Sequence, residues 1–115
     1  QTMDQLLKDA EEHFLAQRYL IPANKNAYAV YQAILALDPQ NAIALQRIEQ
    51  MKAFYRKEGE NNFKKGNWRK ALSYFKRYRL IDPDAPDIEE RVNICRKKLS
   101  EPKPKATRSK SQNAS

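Results

Sequence analysis

The chain has 115 residues, enough for one small domain and too few for a second core. Lys and Arg total 22 against 14 Asp and Glu, a formal net charge of +8. One Cys and one His exclude an intrachain disulfide framework and any multi-cysteine or His-rich metal centre, so no cofactor is expected. Two Gly argue against a Gly-rich phosphate loop and against a turn-dense all-β fold. No apolar run is long enough for a membrane-spanning helix. Composition therefore predicts a soluble, helix-rich, basic domain. The single Cys fits the cytoplasm or a bacterial periplasm and does not choose between them. The charge is unevenly placed: residues 1–50 carry a net −2 and residues 51–115 a net +10, which directs the C-terminal half toward an acidic partner.

Pro and Gly divide the sequence into five helical segments. The first runs from about Asp4 to Tyr19, with Leu6, Leu7, Ala10, Phe14 and Leu15 at helical spacing. Leu20-Ile21-Pro22 interrupts it. The second runs from about Ala23 to Leu37, with a stripe of Ala27, Val30, Tyr31, Ile34 and Leu35, and Asp38-Pro39 stops it. Asn41 is the expected N-cap of the third, which reaches Lys65 with Leu45, Ile48, Tyr55, Gly59 and Phe63 on its buried face. Gly66 ends that segment, and Asn67 is the expected cap of the fourth, Trp68 to Ile81, which buries Trp68, Ala71, Leu72, Phe75 and Tyr78. The fifth runs from Pro86, suited to a first turn, to Leu99, with Ile88, Val92, Cys95 and Leu99 on one stripe. Residues 100–115 contain no Leu, Ile, Val or aromatic residue, which predicts a disordered basic tail.

The segments repeat. Ala36-Leu37-Asp38-Pro39 returns as Leu80-Ile81-Asp82-Pro83. Ala27 and Ala71 each have an aromatic residue four positions on, Tyr31 and Phe75. Ala10 and Gly59 each have a Phe four positions on, Phe14 and Phe63. The small residues mark close approach of two helix axes, Ala10 to Ala27 and Gly59 to Ala71.

On these residues the chain resembles the tetratricopeptide-repeat family. Lys52–Ala85 matches its 34-residue pattern without a gap, with Tyr55, Gly59, Gly66, Trp68, Ala71, Phe75 and Pro83 at signature positions. Asn62 stands where the family has an apolar residue. The earlier repeat, about residues 4–40, carries about five extra residues around Tyr19–Asn26. The arrangement is similar to repeats appended to larger bacterial proteins. The resemblance implies an all-α fold of two antiparallel helix hairpins over residues 4–40 and 52–85. A capping helix over 86–99 completes a helical domain spanning 1–99.

Catalytic machinery is not legible. His13 reads as a packing residue, Cys95 as a small buried hydrophobe, and Glu11-Glu12 and Glu89-Glu90 diverge by about 100° on a helix. The chain is expected not to be an enzyme. The resemblance instead implies a concave groove lined by the first helix of each hairpin, holding a partner protein or peptide as an adaptor or scaffold. Its positions are Asp4, Leu7, Glu11 and Phe14, then Ala53, Arg56, Glu60, Phe63 and Lys64, then Asp87, Glu90, Arg91, Ile94 and Lys98. Arg56, Lys64, Arg91 and Lys98 suit a partner with acidic groups. Glu60 stands where the family's carboxylate-clamp subgroup needs Asn, which argues against that clamp. The alternative is binding of nucleic acid or an anionic membrane surface. It would use the tail and a patch of Lys65, Arg69, Lys70, Lys76, Arg77 and Arg79. Two repeats are fewer than the three or so that such arrays usually need, so self-association is a further expected contact.

Overall fold

The computed structural model describes residues 1–102; the basic residues expected in the tail from Lys103 onward lie outside them. Among the described residues all regular structure is α-helical: α1 (Met3–Leu15), α2 (Ala27–Leu37), α3 (Ala42–Lys64), α4 (Trp68–Ile81) and α5 (Pro86–Ser100). Tyr31, Ile34, Met51, Phe75, Ile88, Val92 and Cys95 form the fully buried centre.

The helix ends follow from local chemistry. Thr2 and Gln5 make a reciprocal capping box that starts α1 at Met3. α1 stops at Leu15, four residues before the Tyr19 end that apolar spacing suggests. The cause is Gln17, whose φ of 59° lies in the left-handed region. The Gln17 N–H donates to the Phe14 carbonyl and the Arg18 N–H to the His13 carbonyl, a Schellman closure. Gly66, at φ 76°, closes α3 the same way: Gly66 N–H donates to Phe63 and Asn67 N–H to Asn62. Asn41 caps α3 as expected, through Ala44 N–H. Asn67 does not cap α4 with its side chain, which instead donates to Asn62 Oδ1 at 3.2 Å.

α2 begins at Ala27 and not at Ala23, because Asn26 is its cap. Asn26 Oδ1 accepts from Ala29 N–H at 2.8 Å. Its Nδ2 donates to the carbonyls of Leu20, Pro22 and Ala23. One buried amide thus starts a helix and folds the preceding loop. Replacing it removes the side-chain donor to the Leu20 and Ala23 carbonyls and the acceptor of the Ala29 N–H, while the Pro22 carbonyl keeps the Lys25 N–H. Asn26→Ala should lower unfolding free energy by about 2 kcal/mol, read from urea melts.

The helices pack in chain order. Along α3, Lys52 meets Asp82 at 3.4 Å, Gly59 lies under the Phe75 ring, and Phe63 meets Trp68 edge-on at 5.1 Å. Advancing along α3 therefore moves backward along α4, and the pair is antiparallel. The three atoms nearest to a Cβ built on Gly59 all belong to the Phe75 ring. α5 runs back along α4, from Glu89 paired with Arg79 at 2.9 Å to Lys98 beside the Trp68 ring.

Several apolar residues assigned to buried faces are not fully buried. Leu45 is 43% exposed, because α4 ends opposite Lys52 and leaves the first turns of α3 to α2. Leu15 lies at the end of α1 and is 75% exposed; Leu99, in the last turn of α5, is 38% exposed. Val30, Leu35, Ile48, Phe63, Trp68 and Leu72 are half-buried at the rim of the core.

The extra residues between α1 and α2 have a structural task. Tyr19 folds into the core, 5.2 Å from the Phe14 ring, and meets Phe54 and Tyr55 edge-on at 5.4 and 6.0 Å. The connecting loop is thereby a packed bridge from α1 to α3.

Candidate functional site

α3 lies between α1 and α5, and three arginines hold the sides together. Arg47 pairs with Glu11 of α1 in a bidentate fork, Nε and Nη2 each 2.9 Å from a carboxylate oxygen, and covers the Phe14 ring at 4.5 Å. Arg56 pairs with Asp87 of α5, donates to the Tyr78 hydroxyl at 3.0 Å and covers that ring at 4.8 Å. Arg91 of α5 pairs with Glu60 at 3.0 Å and covers Phe63 at 4.3 Å. Each guanidinium thus pairs with a carboxylate of another helix and also stands over an aromatic ring. Arg47 and Arg56 are nine residues apart, about two and a half turns, which is why one reaches α1 and the other the opposite side.

The expected groove residues consequently fall into two groups. Arg56, Glu60, Phe63 and Arg91 come together between α3 and α5. There both ion pairs join residues 31 apart in sequence, so the two helices run in register. Lys64 and Lys98 are exposed on the same two helices, Lys98 with its Nζ 5.8 Å from the Trp68 ring centre. Glu11 and Phe14 meet α3 at Arg47, well before Arg56. Leu7, on the same helix, is half-buried against the core. Arg47 was not among the residues the sequence singled out. Nothing in its spacing marks it, because its partner lies 36 residues away in chain order.

The fork also sets a charge. The hydrogen bond from Arg47 holds the Glu11 carboxyl below the ordinary glutamate range, and burial with the Glu11 bond pushes the Tyr31 phenol up. A carboxyl depressed in the folded state stabilises the fold fully above its unfolded value of about 4.3. That contribution is lost as pH falls from there through the lower native value. Glu11→Gln should flatten the acid limb of stability between about pH 5 and 3, read from urea melts across that range.

The remaining candidates for chemistry are occupied. His13 is buried; its Nδ1 accepts from Arg18 Nε at 2.8 Å, and Nε2 faces Asp9 at 3.4 Å. Burial raises the Cys95 thiol above its ordinary range, the reverse of what a nucleophile needs. Among the described residues no group of three His, Cys, Asp or Glu side chains can hold a metal, and no helix is long and apolar enough to cross a membrane.

The residues of the basic patch run from Lys65, at the end of α3, along α4 to Arg79. Arg79 pairs with Glu89 at 2.9 Å, and Arg77 stands 5.9 Å from the Tyr74 ring centre. Lys65, Arg69, Lys70 and Lys76 are exposed. Phe75 and Tyr78, which interleave with them in sequence, belong to the core.

Five helices packed in chain order, with a polar–aromatic seam between α3 and α5, define an all-α protein. No family model, curated protein or solved structure matches the chain.

Proposed function

We propose that the chain is a non-catalytic, tetratricopeptide-like module that docks an acidic segment of a partner protein along the α3–α5 seam. The observation that carries this reading is the joining of α3 and α5 by Arg56–Asp87 and Arg91–Glu60, with Phe63 beneath Arg91 and the exposed Lys64 and Lys98 on the same two helices. The two arginines are internally neutralised, so they serve as the frame. The exposed ammonium groups of Lys64 and Lys98 supply the charge, and the half-buried Phe63 ring supplies apolar area. The antiparallel α3–α4 pair, the Phe75 ring over Gly59 and the left-handed Gly66 turn support the repeat-like reading. α5, whose exposed residues are mostly polar, suits a terminal cap.

A displayed library of random peptides tests the reading. Peptides enriched on the full chain should carry Asp or Glu beside a bulky apolar residue. They should bind Lys64→Glu/Lys98→Glu at least about tenfold more weakly, with Lys8→Glu unchanged. No enrichment, or enriched peptides indifferent to the seam variant, contradicts the proposal. Arg56 and Arg91 are poor reporters here, since reversing either charge places it against Asp87 or Glu60 and disturbs the fold.

A further inference from the structure

Five arginines of the described residues are half-buried: Arg47, Arg56, Arg77, Arg79 and Arg91. Four of them pair with a carboxylate. Arg77 makes no such pair among the described residues. Its guanidinium lies 5.9 Å from the Tyr74 ring centre, and the residue is among those lining a polar crease of about 380 Å³ between α3 and α4. Asn61, Asn62, Lys65, Lys70 and Ser73 complete its polar lining, and Glu58 is the one carboxylate there, leaving a local charge of +2. Asn62 is fixed in place: its Nδ2 donates to the Glu58 carbonyl at 2.8 Å and its Oδ1 accepts from Asn67.

We infer that this crease is a second binding site, distinct from the α3–α5 seam, and that it takes consecutive phosphate groups. Each of the other four half-buried arginines has a carboxylate partner, so Arg77 is the one of the five left to pair with an anion from outside the chain. Lys70 and Arg77 are two helical turns apart, about 10 Å along the axis. A single phosphate spans only a few ångströms, so the row suits two or more in series. The Ser73 hydroxyl and Asn61 amide add neutral donors between the charges. The mainly polar lining gives little apolar area to anchor a peptide side chain. Phe75 and Tyr78 lie in the core, and the one aromatic ring lining the crease, Tyr74, is half-buried with the Arg77 guanidinium 5.9 Å from its centre, which leaves little platform on which bases would stack. Recognition therefore rests on the phosphates themselves. Arg69 and Lys76 line an adjoining depression on α4 that shares Ser73 and Arg77, which extends the positive track for a longer chain.

Amide chemical-shift titration of the full chain at about 150 mM salt tests the inference. The probes are inorganic tripolyphosphate, a single-stranded decathymidylate and a decaglutamate peptide. Tripolyphosphate or the oligonucleotide should shift Asn61, Lys65, Lys70, Ser73 and Arg77 saturably. Which of the two binds more tightly separates a free phosphate chain from a nucleic-acid backbone. Lys70→Gln, at an exposed position, and Arg77→Gln should each weaken binding about tenfold, and Lys97→Gln on α5 should leave it within about twofold. Decaglutamate binding as tightly as either phosphate chain overturns the inference. So do shifts scattered over the lysines generally, or equal losses in Lys70→Gln and Lys97→Gln. Binding only to phosphatidylserine vesicles, with neither phosphate-chain probe bound, overturns it as well.

Discussion

Gly59→Leu should lower the unfolding free energy by at least about 1–3 kcal/mol, equivalent to a fall in melting temperature of about 4–8 °C per kcal/mol. A Cβ on Gly59 would stand 2.6 Å from Cε1 of Phe75 and within 2.9 Å of two further ring carbons. No real pair of atoms tolerates that approach, so the ring must move. It is fully buried, and the Phe63 ring stands 6.3 Å from it. A leucine adds three more carbons to the conflict. The gain of up to about 1 kcal/mol in helix propensity on leaving glycine works in the opposite direction and is smaller. Gly59→Ala/Phe75→Leu should recover part of the loss, because the smaller side chain vacates the space that the new Cβ requires. Calorimetry and urea melts of the three proteins check the expectation. Parent-like melting of Gly59→Leu would mean that α3 and α4 do not meet as described.

The second large effect belongs to the loop. Tyr19→Ala should cost about 3 kcal/mol, at the lower end of the loss seen for large aromatic side chains deleted from protein cores. The ring has only 9% of its surface exposed and meets Phe14, Phe54 and Tyr55. Without it, α1 keeps the Arg47–Glu11 fork and loses its aromatic bridge to the middle of α3. Tyr19→Phe retains the ring and should stay within about 0.5 kcal/mol of the parent. Amide exchange should also speed up across residues 3–37 more than across α4 and α5. Uniform acceleration would show that the loop does not couple the N-terminal helices to the rest.

Much of this architecture is legible in the sequence, and the residues explain why. Asp38-Pro39, Gly66 and Asp82-Pro83 mark helix ends because Pro and Gly act through the backbone, independently of distant partners. Gly59 signals a close approach for a different reason, since it has no side chain to hold the Phe75 ring away. The end of α1 escapes that logic. Gln17 takes a left-handed conformation that glycine ordinarily marks, held there by the Schellman bonds and by the Arg18–His13 contact. The packed loop escapes it as well: nothing in Leu20-Ile21-Pro22 reveals that Tyr19 meets Phe54 and Tyr55, residues more than thirty positions on.

The candidate seam is partly legible. Arg56, Glu60, Phe63 and Arg91 fall where the repeat pattern places groove positions, and they do come together. Their mutual pairing is set by the register of α5 on α3, which no local signal encodes. Arg47 and the unpaired state of Arg77 are likewise properties of tertiary packing. One belongs to an ion pair across 36 residues, and the other is defined by the absence of a carboxylate around it among the described residues.

The most direct test of the proposed docking seam is an amide chemical-shift map of the isotope-labelled full chain with one library-enriched acidic peptide. Shifts should concentrate on Phe63 and Lys64 of α3 and on Ile94 and Lys98 of α5, and should vanish in Lys64→Glu/Lys98→Glu. Shifts centred on Lys70–Arg77 of α4, or on the face of α2, would contradict the assignment of the α3–α5 seam as the protein-docking surface.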